Sequence, residues 1–336
     1  MISIALVTAL VTLALGTQAG VLVVQRSYPA KGMTVGVRGA KINIVDIGPR
    51  DLREPPILMI HGASSNHEVM RQPLGELLAR NHRVILVDRP GHGWSPRDNE
   101  ADSTPAAQAR MIAEAMQTLG VGQAILVVHS WSGALGALMA LEHPSLVAGL
   151  VMLAPVAYPW PGGVGRYNEV ISTPVIGPLL AHTITLPLGL LLAEPGVRSV
   201  FQPQAMPEGF VGDTATPLLL RPREFLANAR DLVTLKAAVA AQAPRYGEIK
   251  VPVTVIAGDA DKTVSTSIHA RPFAAAVPQT RLIVLPGVGH MVQNAAPELV
   301  AAEVETMIGG FAPRLSDRPR FARRQPGARS VQDGPI

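Results

Sequence analysis

A serine, two closely spaced aspartates and a histidine follow three apolar, β-branched runs in this sequence. Ser130 comes just after one run, Asp259 and Asp261 follow a later one, and His290 follows the next. A serine hydroxyl is a poor nucleophile at neutral pH unless a base lies within hydrogen-bond reach, and that base needs an acid to hold its tautomer. The order serine, aspartate, histidine supplies all three groups for nucleophilic catalysis.

The residues around Ser130 favour a sharp turn between a strand and a helix. The run Ala124–Val128 leads into His129-Ser130-Trp131-Ser132-Gly133 and then into a helical pattern. In such a turn the serine hydroxyl is exposed, and the first amides of the helix face the same space. Ser132, which also has small neighbours, is an alternative nucleophile, but Ser130 follows the strand more directly.

A fourth segment could stabilise negative charge that develops on a substrate oxygen. The run Ile57–Ile60 ends in His61-Gly62-Ala63. A backbone N–H in this segment, together with that of Trp131, would form an oxyanion hole, and such a donor contributes on the order of 3 kcal/mol to the transition state.

The elements that carry these residues alternate between strands and helices, which predicts an α/β fold with a mostly parallel central sheet and helices on both faces. Ligands gather at the carboxyl ends of parallel strands, where all the residues above lie. The predicted strands are Ile42–Val45, Ile57–Ile60, Val84–Val87, Ala124–Val128, Leu150–Leu153, Val253–Ala257 and Leu282–Leu285, and the clearest predicted helices are Thr104–Leu119, Gly133–Glu142 and Pro297–Ile308.

The alternation stops between about Val156 and Ile249, where proline and glycine are frequent. This stretch contains an uncharged run, Val170 to Ala193. Its prolines argue against a regular membrane-spanning helix, because proline removes a backbone donor and kinks a helix. We expect an apolar insertion that folds over the sheet.

Taken together, these motifs resemble those of the α/β-hydrolase superfamily from about Met33 to Gly310. The resemblance rests on the joint order of His61-Gly62, Asp88-Arg89-Pro90-Gly91-His92-Gly93-Trp94-Ser95, His129-Ser130-Trp131, Gly258-Asp259-Ala260-Asp261 and Gly289-His290. It implies Ser130 as the nucleophile, Asp261 as the acid, His290 as the base, and Ala63 and Trp131 as the oxyanion-hole amides. It also implies a core of residues 33–155 and 250–310, with residues 156–249 as a helical lid.

The chain departs from the family pattern at the turn itself. That turn usually reads Gly-x-Ser-x-Gly, whereas Val128 and Ser132 occupy the two glycine positions here. A valine at this position should strain the turn unless its neighbours make room. Asp259 remains an alternative to Asp261, and Asp88 is expected to brace its glycine-rich loop.

The two ends of the chain have their own character. Residues 1–25 carry no ionisable side chain, which predicts a single membrane-spanning signal-anchor helix or a cleavable signal peptide. The basic residues that follow favour a cytoplasmic catalytic domain, whereas signal cleavage would leave an exported protein. Residues 313–336 hold six arginines and two aspartates and predict a disordered basic tail, which accounts for the net charge of +4.

The composition of the chain excludes several kinds of functional site and several classes of protein. The 336 residues are 48% hydrophobic and 16% charged, with no cysteine. This excludes disulfides, thiol nucleophiles and cysteine-ligated metals, and it argues against nucleic-acid binding. We expect no cofactor and no metal, because neither a dinucleotide fingerprint nor metal-ligand spacing is present. Five histidines, His67, His82, His143, His182 and His269, are expected on the surface or on helices.

The sequence thus predicts a membrane-anchored serine hydrolase that cleaves a carboxylic ester with an apolar portion. The apolar substrate is suggested by the leucine-rich insertion. A C–C bond hydrolase or a peracid-forming enzyme is the alternative reading, and a non-catalytic binding protein is a third, because fold does not dictate function.

Overall fold

An eight-stranded sheet forms the centre of the computed structural model, which describes residues 2–50 and 53–311. Its strand order is β1-β2-β4-β3-β5-β6-β7-β8. The strands are β1 (Met33–Val37), β2 (Ala40–Ile47), β3 (Ile57–Ile60), β4 (Val84–Val87), β5 (Ala124–His129), β6 (Val147–Leu153), β7 (Val253–Gly258) and β8 (Thr280–Leu285).

Six of these strands run parallel, as the sequence predicts. The remaining two are β1 and β2, which form an antiparallel hairpin, and β2 pairs antiparallel with β4. The sequence analysis missed β1, because this short edge strand buries only Val35 and lacks a continuous apolar run.

Strand β6 begins earlier than the predicted Leu150, because Gly149 interrupts the apolar run that marks it. The glycine is required by packing rather than by a turn. A Cβ atom at this position would lie 2.2 Å from the Met307 sulfur on the helix that covers it.

The central strands are apolar throughout because both of their faces are covered. In β3, Leu58 and Ile60 point into one hydrophobic core, and Ile57 and Met59 point into the other. Helices α4 and α5 cover the first face, and α2, α3 and α13 cover the second.

The helices are α1 (Ile2–Ser27), α2 (Glu68–Met70), α3 (Glu76–Leu78), α4 (Pro105–Thr118), α5 (Ser132–Glu142), α6 (Arg166–Ile171), α7 (Ile176–Thr183), α8 (Thr185–Phe201), α9 (Phe210–Asp213), α10 (Pro222–Gln242), α11 (Ala270–Ala276), α12 (Val292–Ala295) and α13 (Pro297–Gly309). Each of the three predicted helices is present within a residue or two. Helix α4 starts where expected because Thr104 caps it, its hydroxyl accepting the Ala107 N–H, and proline follows at the first position.

The insertion between β6 and β7 consists of helices α6 to α10. The uncharged run inside it forms α7 and α8, which bend by 75° at Ile184 rather than making one straight helix. By length and composition this bent pair could count as a broken span.

Helix α1 is, within the described ranges, the one helix long and apolar enough to cross a bilayer by itself, from Ile4 to Ser27. It packs on the insertion through Val24, which lies in a cluster with Leu186, Ala215, Leu218 and Leu220. The predicted basic tail, residues 313–336, lies outside the described residues.

Candidate active site

Ser130 lies in the turn between β5 and α5 with a left-handed backbone, φ +55°. This conformation is costly for a residue other than glycine and persists only when the surroundings hold it. Three backbone hydrogen bonds do so. The Ser130 N–H donates to the Leu153 carbonyl (2.9 Å), and the Ser130 carbonyl accepts the N–H groups of Gly133 (2.8 Å) and Val156 (2.9 Å).

The valine at the family's first glycine position is accommodated by a glycine elsewhere. Gly136 lies on the helix that follows the turn, and a Cβ atom there would come within 3.0 Å of both methyl groups of Val128. The missing side chain at position 136 therefore leaves space for the extra one at position 128.

His290 and Asp261 form the hydrogen bond that a base and its orienting acid require. His290 Nδ1–H donates to Asp261 Oδ2 at 2.7 Å. The other carboxylate oxygen, Oδ1, accepts the backbone N–H groups of Thr263 (2.7 Å) and Val264 (2.8 Å). With Nδ1 acting as donor, the neutral ring presents Nε2 as a proton acceptor.

Ser132, the alternative nucleophile, and Asp259, the alternative acid, make other contacts in the structure. Ser132 is fully buried, and its hydroxyl donates to the His61 carbonyl at 2.5 Å. Asp259 is exposed and accepts the Gly287 N–H at 2.7 Å. Ser130 and His290, in contrast, line one large cavity.

Ala63 and Trp131 line the same cavity beside Ser130. Within the described chain, neither backbone N–H donates a hydrogen bond to another protein group. Two free amides next to a serine hydroxyl are the donors that an oxyanion would use.

The segment that carries Ala63 is held by an uncharged histidine. His61 Nε2 accepts the Arg89 N–H at 3.0 Å, and His61 Nδ1 lies 2.8 Å from the Gly62 carbonyl, to which it donates. Burial, and then the nearby Arg89 charge, lowers the pKa of His61 well below its usual value. The neutral ring thus bridges the loop after β3 to the loop after β4.

Trp131 is held by a buried ionic network. Its indole N–H donates to the Asp231 carbonyl (3.0 Å), and the Arg89 guanidinium stacks 3.9 Å from its ring centre. The Asp231 carboxylate is itself paired with Arg89 (2.8 Å), Arg97 (2.7 Å) and His92 (2.9 Å). Burial alone would raise the pKa of Asp231, but the His92 hydrogen bond and the two arginines hold it well below its usual range.

Asp231 and Arg97 were missed by the sequence analysis, which named Arg89 and His92 as parts of a motif. Asp231 lies on α10 inside the insertion, where no motif marks it. One turn earlier on the same helix, Asn228 accepts the Ser64 N–H at 2.7 Å, next to Ala63. One helix of the insertion therefore positions both oxyanion-hole segments.

Two of the five histidines expected on the surface or on helices are buried. His67 donates to Asp88 through its ring and its backbone N–H, both at 2.9 Å. His269 Nδ1 accepts the N–H groups of Ala157 (3.3 Å) and Tyr158 (3.2 Å), and its ring borders the cavity. Asp88 also accepts the Trp94 N–H at 2.9 Å, as its expected bracing role requires.

The cavity has a volume of about 1210 Å³ and a mostly apolar lining. Helix α8 supplies much of one wall, and Trp160 and Phe225 supply other parts. Among the described lining residues, Lys262 is the single Lys, Arg, Asp or Glu side chain. Residues 2–50 and 53–311 contain no cluster of three His, Asp or Glu side chains arranged to hold a metal ion.

Several known hydrolases are similar to this chain in sequence or in fold. The chain is 32% identical over 223 residues to a 2-hydroxy-6-oxononadienedioate/2-hydroxy-6-oxononatrienedioate hydrolase of Burkholderia vietnamiensis, covering 63% of this chain and 71% of the relative. It is 28% identical over 288 residues to a 2-hydroxy-6-oxo-6-phenylhexa-2,4-dienoate hydrolase of Burkholderia cepacia, covering 80% and 92%.

A solved structure, the enol-lactonase of Burkholderia xenovorans, shares the fold with a TM-score of 0.67 at 20% identity, covering 82% of this chain and all of that one. The family model described as the alpha/beta hydrolase family matches residues 57–303. Since that match spans most of the chain and includes the turn at Ser130 and the His290–Asp261 pair, the protein belongs to the alpha/beta hydrolase family.

Proposed function

We propose that this protein is a serine hydrolase that attacks the carbonyl carbon of a substrate with a large apolar portion. One observation carries the proposal: Ser130, in a left-handed turn, shares a cavity with His290, whose Nδ1–H is bonded to Asp261. This set supplies a nucleophile, a base and an orienting acid.

In the proposed mechanism Ser130 Oγ attacks the carbonyl carbon while His290 Nε2 takes its proton. The N–H groups of Ala63 and Trp131 stabilise the oxyanion of the tetrahedral intermediate. His290 returns the proton to the leaving group, which leaves an acyl-enzyme at Ser130. Water, deprotonated by His290, then attacks the acyl carbon, and the acyl–oxygen bond breaks as His290 returns this proton to Ser130 Oγ, which releases the acid and restores the serine.

The lining of the cavity supports an apolar substrate. Burial of the apolar surface of a substrate against such a lining contributes about 25 cal/mol per Å² to the free energy of binding. With Lys262 as the one formal charge described in the lining, a substrate with one acidic group is accommodated better than one with two.

The leaving group is an oxygen atom in the ester reading and a carbon atom in the C–C hydrolase reading. A 2-hydroxy-6-oxo-6-phenylhexa-2,4-dienoate contains no ester bond, so its hydrolysis breaks a C–C bond. Two curated relatives named for substrates of this type therefore support the C–C hydrolase reading better than the ester reading predicted from the sequence. The apolar cavity is compatible with either leaving group.

The nucleophile is tested by labelling with a fluorophosphonate, which reacts with activated serines. We expect labelling to be lost in Ser130→Ala and retained in Ser132→Ala, because the Ser132 hydroxyl is bonded to the His61 carbonyl. Labelling lost only in Ser132→Ala would overturn this choice of serine. Folded wild-type protein that is never labelled would favour a non-catalytic binding protein.

The leaving group is tested with two substrate series. One series is p-nitrophenyl esters of rising chain length, and the other is 6-alkyl or 6-phenyl 2-hydroxy-6-oxohexa-2,4-dienoates. We expect higher kcat/KM in the dienoate series if carbon is the natural leaving group. Faster turnover of long-chain esters than of every dienoate would restore the ester reading.

We also propose that residues 1–25 anchor the protein in a membrane, with residues 156–249 as a lid over the site. Digestion of the catalytic domain by a protease added to sealed inside-out vesicles is expected for a cytoplasmic domain. Protection in such vesicles would place the domain on the other side.

A further inference from the structure

The outer surface of α1 is unlike that of a helix packed on a water-soluble domain. Its inward-facing residues recur at a three-to-four spacing, as Leu10, Ala14, Thr17, Val21 and Val24. The opposite side of such a helix is normally polar. Here the exposed side carries Gln18 but is otherwise largely apolar, and its large apolar side chains are Ile4, Leu6, Val7, Val11, Leu13, Leu15, Leu22 and Val23.

The hydroxyl groups of α1 are also satisfied in a way that suits lipid. Thr8 donates to the Ile4 carbonyl and Thr12 to the Thr8 carbonyl, both at 2.9 Å. Thr17 donates to the Thr183 carbonyl on α7 at 2.9 Å. In the hydrocarbon region every polar group must be satisfied internally, and these three are.

The length of α1 determines how deep its neighbours lie. A membrane span needs about 20 apolar residues, which here requires nearly all of the helix up to Val23. The last two turns of this span, from Thr17 to Val24, make the contacts with α7 and α8 at Thr17, Gly20 and Val24. At Gly20 the contact is so close that a Cβ atom would lie 2.4 Å from a methyl group of Leu186. If α1 spans the bilayer, α7 and α8 lie at the depth of its last two turns.

The outward side of α7 and α8 is mostly apolar, as this depth requires, and its exposed His182 lies 3.4 Å, Nδ1 to Nε2, from Gln18 of α1. Val175, just before α7, is 78% exposed, and Leu191 on α8 is 76% exposed. No Asp, Glu, Lys or Arg occurs from residue 170 to residue 193. The hydroxyls of Thr183 and Thr185 donate to the carbonyls of Leu179 (2.6 Å) and Leu180 (3.1 Å).

Helix α8 separates this outer surface from the cavity. Leu188 and Leu192 line the cavity and are 50% and 56% exposed, and they lie on α8 beside Leu190 and Leu191, which are exposed and are not part of the lining. Ile184, at the bend between α7 and α8, also lines the cavity and is 40% exposed. The wall of the cavity thus reaches the apolar surface that continues α1.

We infer that the outer face of α7 and α8, formed by Val175, Ile176, Leu179, Leu190 and Leu191, docks into the same bilayer as α1, and that an apolar substrate enters the cavity from the lipid past α8. The docking follows from the packing of α1 and the exposed apolar surface. The lipid-side entrance rests in addition on the proposed function.

Docking is tested with single-cysteine variants of the full chain, which contains no native cysteine. Leu191→Cys and Val175→Cys are labelled with a fluorophore in phosphatidylcholine vesicles that contain doxyl-labelled lipid as quencher. Val11→Cys on α1 is the membrane control, and Val233→Cys, an exposed apolar position on α10, is the aqueous control. We expect quenching at positions 191 and 175 close to that at position 11 and several times that at position 233.

Quenching at position 11 alone would overturn the docking and leave α1 as the sole membrane contact. Quenching at none of the labelled positions would overturn it too, because α1 would then lie outside the bilayer. If the fluorophore at position 191 becomes less exposed to water as the protein concentration rises, and not as lipid is added, a second copy of the chain covers this face and the docking is overturned.

The entrance is tested by the rate of Ser130 labelling with two alkyl fluorophosphonates, an ethyl compound in water and a hexadecyl compound dissolved in the vesicles. The double variant Leu190→Glu/Leu191→Glu is compared with Val233→Glu. We expect about tenfold slower labelling by the hexadecyl probe in the double variant, because two charges oppose insertion, with the ethyl probe unaffected.

Equal loss with both probes would contradict a lipid-side entrance, since the damage would then lie in the site itself. Wild-type protein that reacts with neither probe would refute the proposed function and the entrance with it. The quenching experiment would still decide the docking.

Discussion

Ser130, whose left-handed backbone is held by three hydrogen bonds, is approached closely by the loop after β3. A Cβ atom on Gly62 would lie 2.9 Å from Ser130 Cβ and 3.1 Å from His129 Nδ1. The loop that carries the Ala63 amide therefore approaches the serine as closely as a chain without a side chain allows. The close approach of the Ala63 loop to Ser130 therefore depends on the absence of a side chain at position 62.

Gly62→Ala is expected to reduce kcat about tenfold or more, because the added methyl group pushes the Ala63 amide away from Ser130. Steady-state kinetics and thermal unfolding measure the two effects separately. Gly122→Ala is the matched control, since a Cβ atom there meets nothing within 4 Å. An unchanged kcat in Gly62→Ala would show that the loop moves freely.

The buried pair of His67 and Asp88 links stability to pH. Burial lowers the pKa of His67, but the charge and hydrogen bond of Asp88 outweigh it and raise this pKa to about 9. A raised folded-state pKa means that the stabilisation is complete below the unfolded value of about 6.5 and is lost as the pH rises through 9.

Wild-type Tm is expected to fall by about 3 °C between pH 7 and pH 10 through this pair. In His67→Gln this part of the pH dependence should disappear, whereas His143→Gln should keep it. Thermal unfolding monitored by circular dichroism across this pH range is the measurement. A wild-type slope retained in His67→Gln would assign the pH dependence to other groups.

At the scale of elements, α10 connects the insertion to the catalytic core. Asn228 and Asp231 lie one turn apart on this helix, and they hold the loop after β3 and the side chain of Trp131. The insertion is therefore part of the scaffold of the candidate site. Removing it as a separate unit would release the loop after β3 and the side chain of Trp131, which carry the proposed oxyanion-hole amides.

Asp231→Ala is expected to lower the free energy of unfolding by about 3–5 kcal/mol, because it leaves Arg89 and Arg97 buried without their carboxylate. Glu142→Ala, which breaks a partly exposed pair with Arg245, should cost less than about 1 kcal/mol. Chemical denaturation measures both values. Equal losses would show that the network contributes no more than a surface ion pair.

At the scale of the whole molecule, α1 is joined to the insertion by close packing as well as by chain connectivity. Thr17 and Gly20 contact Thr183 and Leu186, and Val24 lies in the same cluster. The helix predicted as an anchor thus also covers part of α7 and α8.

Gly20→Leu is expected to separate α1 from the insertion, because even the Cβ atom of the new side chain would lie 2.4 Å from the buried Leu186 side chain. Limited proteolysis in detergent micelles should then cut the segment of α7 and α8 several times faster. Gly16→Leu is the matched control, since its Cβ atom would meet nothing within 4 Å. Identical digestion of both variants would contradict a packed interface.

Much of the fold could be predicted from the sequence because local patterns encode it. The two-sided burial of β3 to β7 requires continuous apolar runs, and α4 begins at a threonine cap followed by proline. The position of Ser130, Asp261 and His290 at one sheet edge follows from the parallel order of those strands. Strand β1 was missed because an edge strand needs little apolar character.

The sequence by itself determined the order of strands β2 to β8, the edge of the sheet that carries the candidate site, and the apolar character of α1 and of residues 170–193. Only the tertiary structure decided that Gly136 makes room for Val128, that Asp231 anchors Trp131, and that Ser132 is bonded to the His61 carbonyl. These contacts join residues that are distant in the chain, or depend on the path of a strained turn. Hydrophobic periodicity records which side of an element is buried, but it does not record which partner is buried against it.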